Sequence, residues 1–258
     1  MCRIVALVNT AVPETQRALR AFRTLAGRGC VPKGQPPGHR DGWGVAAFRR
    51  GAWVTIGRSI GDAGRDSKYP AALRKLRTAQ PADVIIGHLR KASIGGRTFL
   101  NTHPFIHGGY AFCHNGSVPV AMRLKLGAAW ARRVRGSTDS ERLFYAVLAR
   151  AAKVGPRQAF LGLLRRLRAS HDYTAMNILF SDGKSLWAVR DANLKHPKAE
   201  QARFDRYYTL YLGTVKGTNR VVVCSEKLGL PGIAWRAIPN GSGVEVDIRT
   251  GTVKPFRL

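Results

Sequence analysis

The sequence predicts an α+β protein in which two antiparallel sheets pack on each other and helices cover their outer surfaces. Strand-like segments dominate both ends of the chain, helical patterns dominate residues 120–170, and short turns separate the C-terminal strands. Because strands and helices come in blocks and do not alternate, a parallel βαβ fold is disfavoured. The sequence shows no internal repeat and no clear linker, so one domain over residues 1–258 is expected.

The first strand is predicted to begin directly after Cys2, because residues 3–8 (RIVALV) form an apolar run rich in Ile and Val. Helical spacing of apolar residues then predicts a helix from Thr15 that stops at Gly27. Downstream, the patterns predict a hairpin of residues 43–48 and 53–58, a helix over 70–79, and strands over 83–90 and 110–115.

The helical middle contains residues 138–141 (TDSE), which have the S/T-x-x-E form of a capping box and so predict a helix start. Turn signals then separate strands in the C-terminal third, at Asp182-Gly183, Asn240-Gly241 and Thr250-Gly251. The strands predicted there lie in YTAMNILFS, SLWAVRD, YYTLYLGTV, RVVVCS, GVEVDI and TVKPF.

The chain is strongly basic, with a formal charge of +28 from 43 Lys and Arg against 15 Asp and Glu. The basic residues recur along the whole length, and the sequence has no zinc finger, RNP-type aromatic strand or basic zipper. This distribution favours a solvated basic surface with non-specific affinity for polyanions. Binding of nucleic acid or of an acidic partner through that surface stays open as an alternative.

The cysteines and the hydropathy pattern indicate a reduced, cytoplasmic protein. The four cysteines are widely spaced, with no CxxC pair and no Cys/His cluster of zinc-site spacing. The N-terminus lacks a secretory signal, and no apolar run approaches the roughly 18 residues of a membrane helix. We therefore expect no membrane association and no metal or organic cofactor.

Six short motifs together resemble the class II glutamine amidotransferases, whose glutaminase domain belongs to the N-terminal nucleophile hydrolases. The likeness is greatest to a stand-alone group that includes the γ-glutamyl hydrolase of ergothioneine synthesis, and it continues through LWAVRD, VVVCSEKL and residues 235–241. It implies a four-layer αββα sandwich and leaves no room for a fused synthase domain. The motifs are Cys2, GHRDGWG (38–44), GHLRKAS (87–93), NTHPF (101–105), FCHNGSV (112–118) and STDSE (137–141).

Cys2 is the candidate nucleophile. A thiol has an ordinary pKa of about 8.5 and an α-amino group one of about 7.7 to 8.0. Removal of Met1 would therefore place a nucleophile and its own base on one residue. Position 2 alone would favour an ordinary small residue, and only the accompanying motifs reverse that interpretation.

Asn115 and Gly116 are the candidate oxyanion donors. Attack on a carboxamide produces an oxyanion, which a side-chain amide and a backbone N–H already in place would stabilise. The resemblance assigns that role to this pair. The alternative is that His114-Asn115-Gly116 forms a hairpin turn, because Asn-Gly is a strong type I′ signal.

Arg90 and Asp139 match the family positions that bind the α-carboxylate and α-ammonium of the glutamyl group. A planar guanidinium suits a carboxylate, whereas Asp139 alone could equally serve the helix dipole. Ser93 and His103 complete the predicted substrate-binding residues, although a lone His before Pro is often a loop residue. Lys91 stands where the fused synthases usually carry an aromatic, which puts free glutamine in doubt as the substrate.

The sequence thus predicts an amidohydrolase that cleaves a linear amide, the γ-amide of glutamine or of a γ-glutamyl compound, through a glutamyl thioester on Cys2. One alternative is a glutaminase subunit that delivers ammonia to a separate synthase. Another is a non-catalytic basic protein that binds nucleic acid or an acidic partner.

Overall fold

The computed structural model describes residues 2–31, 34–78, 81–195 and 207–258. It contains two sheets of seven and six strands, in which every described strand pair is antiparallel. The seven-stranded sheet has the order β11-β9-β10-β1-β4-β2-β3. Its strands are β1 (Arg3–Val8), β2 (Trp43–Arg49), β3 (Ala52–Ser59), β4 (Val84–Leu89), β9 (Tyr211–Thr214), β10 (Val221–Cys224) and β11 (Ala234–Ala237).

The six-stranded sheet has the order β13-β12-β8-β7-β6-β5. Two of the strands in the molecule, β5 with three residues and β11 with four, were not predicted from the sequence. The strands of this sheet are β5 (Phe105–His107), β6 (Tyr110–Asn115), β7 (Asn177–Ser181), β8 (Ser185–Arg190), β12 (Ser242–Asp247) and β13 (Val253–Arg257).

Helices cover the outer face of each sheet. The first pair packs on the seven-stranded sheet, and the later helices pack on the six-stranded sheet. The predicted helix over 70–79 is present, although residue 79 lies outside the described residues. The helices are α1 (Val12–Arg28), α2 (Lys68–Thr78), α3 (Ala128–Ala131), α4 (Asp139–Val154) and α5 (Pro156–Ala169), with short 3-10 turns at Phe99–Asn101 and Pro119–Arg123.

The side chains of β1 show how the two sheets share one core. Ile4 and Ala6 point between the sheets and pack against the other sheet, whereas Val5 and Leu7 point toward α1 and α2. Successive side chains of a strand alternate between its faces. Both faces of this central strand are buried, which explains its unbroken apolar sequence. The arrangement confirms the predicted α+β sandwich with the layers αββα.

The start of α4 differs in one detail from the predicted capping box. The Thr138 hydroxyl accepts from the Glu141 backbone N–H, as expected. The Glu141 carboxylate does not return to Thr138 and instead accepts from the backbone of Arg135 and Gly136. Glu141 therefore fixes the loop that precedes α4. Within the described part of the chain, no helix is long and apolar enough to span a membrane.

Candidate active site

Cys2 lies at the start of β1, where the ends of the two sheets meet. Its main-chain nitrogen donates to Asn115 Oδ1 at 3.0 Å, across 113 residues of sequence. Its sulfur lies 3.7 Å from the carbonyl oxygen of Lys91. The half-buried Cys2 thus joins the central strand of one sheet to the end of β6 in the other.

Asn115 is fully buried and uses only one end of its side-chain amide. Its Oδ1 accepts from Cys2, while its Nδ2 makes no hydrogen bond to any described residue. A buried amide without a partner costs free energy, so such a group is typical of a site that a ligand completes. The unused donor therefore marks a position for an acceptor next to Cys2.

Gly116 follows Asn115 in a conformation that only glycine tolerates, with φ at +154°. A Cβ at this position would lie 1.9 Å from the Ala175 carbonyl oxygen. The alternative of a type I′ hairpin turn is wrong. Such a turn needs positive φ at both central residues, which Asn115 lacks, and β6 pairs with β5 and β7 instead of entering a hairpin here.

Arg90 follows β4 and is 3% exposed. Its guanidinium donates to the carbonyls of Ile94, Gly95 and Gly96, and so closes the loop that follows it. Burial lowers the pKa of Arg90, while nearby Cys2 and Asp41 act in the opposite direction. Arg90 is therefore a buried cation within electrostatic reach of Cys2.

The DGWG motif (41–44) contacts the segment that follows Arg90. Asp41 accepts from the Ala92 backbone N–H at 2.9 Å and pairs with Arg97. Trp43 points to the outer face of the sheet, where it donates to Asp66 and contacts Tyr69 edge-on. Asp41 and Trp43 thus have structural roles, one in the loop after Arg90 and one in the packing against α2.

Asp139 is the first residue of α4 and is 3% exposed. Its Oδ2 accepts from the Val118 backbone N–H at 2.6 Å, and its Oδ1 accepts from the Ser140 backbone N–H at 2.8 Å. Val118 lies two residues after Gly116, so this carboxylate ties the helix start to the segment that carries Asn115.

The sequence model of the family described as "Glutamine amidotransferases class-II" matches residues 1–255, nearly the whole chain. The chain belongs to this family. Among its relatives is "Uncharacterized protein MJ1515" of Methanocaldococcus jannaschii, 26% identical over 93% of this chain and 68% of the relative. Another is "Probable glutamine amidotransferase DUG3" of Saccharomyces cerevisiae, 22% identical over 85% of this chain and 73% of the relative.

A solved structure with the same fold is the glutamine phosphoribosylpyrophosphate amidotransferase from B. subtilis. The two structures superpose with a TM-score of 0.68 over 99% of this chain, at 17% sequence identity. This likeness concerns the fold alone. The chain spans 49% of the length of that solved structure, about half.

Two predicted site residues remain, Ser93 and His103. Ser93 is exposed in the loop after Arg90, and it makes no hydrogen bond to a described residue. His103 is buried and stacks on His88 with ring centroids 4.3 Å apart. The structure thus brings Cys2, Asn115, Gly116 and Arg90 together, and it shows no direct contact of Ser93 or His103 with Cys2.

Three neighbouring histidines are buried beneath this site. The ring nitrogens of His88 and His103 have no well-formed hydrogen bond to a described residue, and the His114 backbone is the neighbour that favours the charged form of His88. His114 lies 2.8 Å from the Ser140 hydroxyl and 3.0 Å from the Ala175 carbonyl. Burial lowers the pKa of all three, that of His88 to about 3.

Acid is expected to destabilise this amidotransferase steeply below about pH 6.5, the ordinary histidine pKa. The folded chain keeps these histidines neutral, whereas the unfolded chain protonates them, so the unfolded state gains as the pH falls. A histidine held neutral across that range, as His88 is by a folded-state pKa of about 3, removes about 1.4 kcal/mol of stability per pH unit. Urea unfolding at pH 7, 6 and 5 measures the slope.

Two variants separate this effect from general acid lability. His103→Phe retains a flat ring in the stack and should reduce the slope by about 1.4 kcal/mol per pH unit. His171→Asn changes an exposed histidine at φ +54°, a conformation that Asn accepts, and should leave the slope unchanged. Equal slopes for His103→Phe and the wild type would contradict the assignment.

Arg3 donates to the Cys2 carbonyl at 3.4 Å, and it also contacts Glu226, a contact that was not predicted from the sequence. Arg3 Nε donates to Glu226 Oε2 at 2.9 Å, across 223 residues of sequence. No local pattern connects two residues so far apart. The one available signal was the VVVCSEKL segment, which contains Glu226 and forms part of the resemblance.

Proposed function

We propose that this protein hydrolyses the γ-amide of glutamine or of a γ-glutamyl compound, with Cys2 as the nucleophile. The observation that carries the proposal is the pairing of Cys2 with Asn115. One end of the Asn115 amide holds the Cys2 nitrogen, and the other end is a buried donor without a partner. This pairing supports a nucleophile, a base and an oxyanion donor that act next to one another.

The reaction begins with a free Cys2 amine, formed by removal of Met1. The Cys2 main-chain nitrogen that donates to Asn115 marks the position of this amine. The amine takes the thiol proton, directly or through a water, and the sulfur attacks the γ-carbonyl carbon. The carbonyl oxygen becomes an oxyanion, which Asn115 Nδ2–H and the Gly116 backbone N–H stabilise. Each such donor is worth about 3 kcal/mol of the barrier.

Collapse of the oxyanion re-forms the carbonyl and breaks the carbon–nitrogen bond. The leaving ammonia or amine takes the proton from the Cys2 ammonium, and a glutamyl thioester remains on the sulfur. The Cys2 amine then accepts a proton from water as the water attacks the thioester carbon. Glutamate leaves, and the thiol is restored with its proton.

Substrate selection is assigned to the charged residues around Cys2. Arg90 binds the α-carboxylate of the glutamyl group, and Asp139 binds its α-ammonium. The Nε–H of Arg90 has no bond to a described residue, so it remains available for that carboxylate. Ser93, in the loop after Arg90, and the buried His103 are proposed as further substrate-binding residues. We place the activity in the cytoplasm, which the four free cysteines favour.

The amine side of the substrate admits two uses of this chemistry. In the first, a γ-glutamyl amide is simply hydrolysed. In the second, the released ammonia passes to a separate synthase. Lys91, with its carbonyl beside the Cys2 sulfur and its ammonium on the Pro36 carbonyl, favours the first, because this cationic rim differs from the aromatic rim of the fused synthases.

Treatment with 6-diazo-5-oxo-L-norleucine, an alkylating glutamine analogue, tests the proposal. We expect intact mass spectrometry to show one adduct per chain, located on a Cys2 with a free amine. Excess glutamate should slow the labelling, because it competes for Arg90 and Asp139. Labelling at another cysteine, or none at all, would overturn the proposed function.

A further inference from the structure

Arg3 occupies an unusual place for an arginine. It is 1% exposed, immediately after the candidate nucleophile, in the central strand of a sheet. A buried guanidinium is costly unless its donors are satisfied and its charge is paired. Such a residue therefore needs a structural or functional reason.

The Arg3 guanidinium gathers three chain segments around the Cys2 main chain. Nη1 donates to the carbonyls of Cys2, at 3.4 Å, and of Tyr207, at 3.3 Å, while Nη2 donates to the carbonyl of Cys30 at 2.5 Å. The guanidinium carbon also lies 4.6 Å from the centre of the Tyr207 ring. Only the planar fork of arginine reaches so many acceptors from one position.

Glu226 fixes this guanidinium from the other side. Its Oε2 accepts from Arg3 Nε at 2.9 Å and from the Cys30 backbone N–H at 3.0 Å. The carboxylate supplies the opposite charge, and it ties the segment after β10 to the segment after α1. Arg3 is thus held in one orientation with its Nη1 directed at the Cys2 carbonyl.

Strand alternation separates Arg3 from the substrate. Ile4 packs between the two sheets, so the side chain of Cys2, two residues earlier, lies on that same face, and the side chain of Arg3 points to the opposite face, toward the end of α1. Arg3 touches the main chain of the nucleophile and none of the residues assigned to substrate binding. Any effect on the reaction must pass through the position of Cys2.

We propose that Arg3, held by Glu226, is a positioning residue that fixes the main chain of Cys2, so that its amine stays on Asn115 and its thiol stays beside the Lys91 carbonyl. This inference rests on the proposed function. Once Met1 is removed, no preceding residue restrains Cys2, and a terminal residue is ordinarily mobile. Asn115 then holds the Cys2 nitrogen and Arg3 holds the Cys2 carbonyl, so both ends of the main chain of this residue are fixed.

Arg3→Lys and Glu226→Gln test the proposal. Lysine keeps the charge but loses the fork, so kcat should fall roughly 10- to 100-fold, as expected for a misplaced reacting group. Glu226→Gln keeps the shape and should give a smaller fall. The KM should stay within about threefold of wild type, because Arg90 and Asp139 are untouched. Glu245→Gln is the matched control, since it alters an exposed Arg157–Glu245 pair of 2.8 Å and should change neither constant.

Titration with 6-diazo-5-oxo-L-norleucine distinguishes positioning from loss of folded protein. A positioning role predicts that the variants still label fully, one adduct per chain, but more slowly than wild type. Full kcat in both variants, or a kcat that falls only in proportion to the labelled fraction, would overturn the inference. Glu226→Gln carries the test if Arg3→Lys fails to fold. Absence of turnover and labelling in the wild type would instead refute the proposed function.

Discussion

Cys2→Ala is expected to abolish hydrolysis of glutamine and γ-glutamyl amides. In the proposed mechanism the Cys2 sulfur attacks the substrate, and the oxyanion donors that remain in the variant cannot replace it. In hydrolases that form a covalent intermediate, loss of the nucleophile lowers kcat on the order of 10⁴-fold or more. Glutamate release, measured with a coupled assay, should fall to the uncatalysed background.

Cys30→Ala is the matched control for this variant. Cys30 is the other half-buried cysteine. Its main chain, but not its sulfur, hydrogen-bonds to Arg3 and Glu226. Its replacement should leave kcat within about twofold of wild type, as for a substitution that touches no reacting group. Retained turnover in Cys2→Ala, or in protein that keeps Met1, would refute the mechanism.

The sequence predicted the fold well because its patterns report burial directly. The apolar run of β1, buried on both faces, and the hairpin of β2 and β3 follow from residue types alone. The short strands β5 and β11 left no comparable signal. Glu141 shows a second limit, because a capping box specifies residue types but not which backbone N–H groups the carboxylate will meet.

Some residues of the candidate site were also predicted from the sequence, although their geometry was not. The Asn-Gly pair was ambiguous between an oxyanion hole and a hairpin turn, and only the backbone conformation decides against the turn. That conformation depends on Ala175, about sixty residues away, whose carbonyl excludes a side chain at Gly116. The contact between Arg3 and Glu226 joins distant segments in the same way. Such contacts arise from strand order, which local patterns do not encode.

Asn115 combines two roles that a single substitution can separate. Its Oδ1 holds the Cys2 nitrogen, while its Nδ2 is the donor without a partner. Aspartate has the same shape and keeps an oxygen for the Cys2 nitrogen, but it replaces the donor with a second oxygen. Asn115→Asp is therefore expected to retain the position of Cys2 and to remove one of the two proposed oxyanion donors, while the Gly116 N–H remains.

Asn115→Asp is expected to lower kcat roughly 10²- to 10³-fold, the usual effect of losing one oxyanion donor. The KM should change little, because Arg90 and Asp139 remain, and labelling should still reach one adduct per chain. Steady-state kinetics with glutamine measure kcat and KM, and intact mass spectrometry counts the adducts. Thermal unfolding shows whether the variant is folded. The control is Asn9→Asp, an amide-to-acid change at the far end of β1, where Nδ2 bonds the Ile248 carbonyl. A kcat in Asn115→Asp equal to that of the control would exclude Nδ2 from the oxyanion hole, since both variants replace one side-chain amide with an acid.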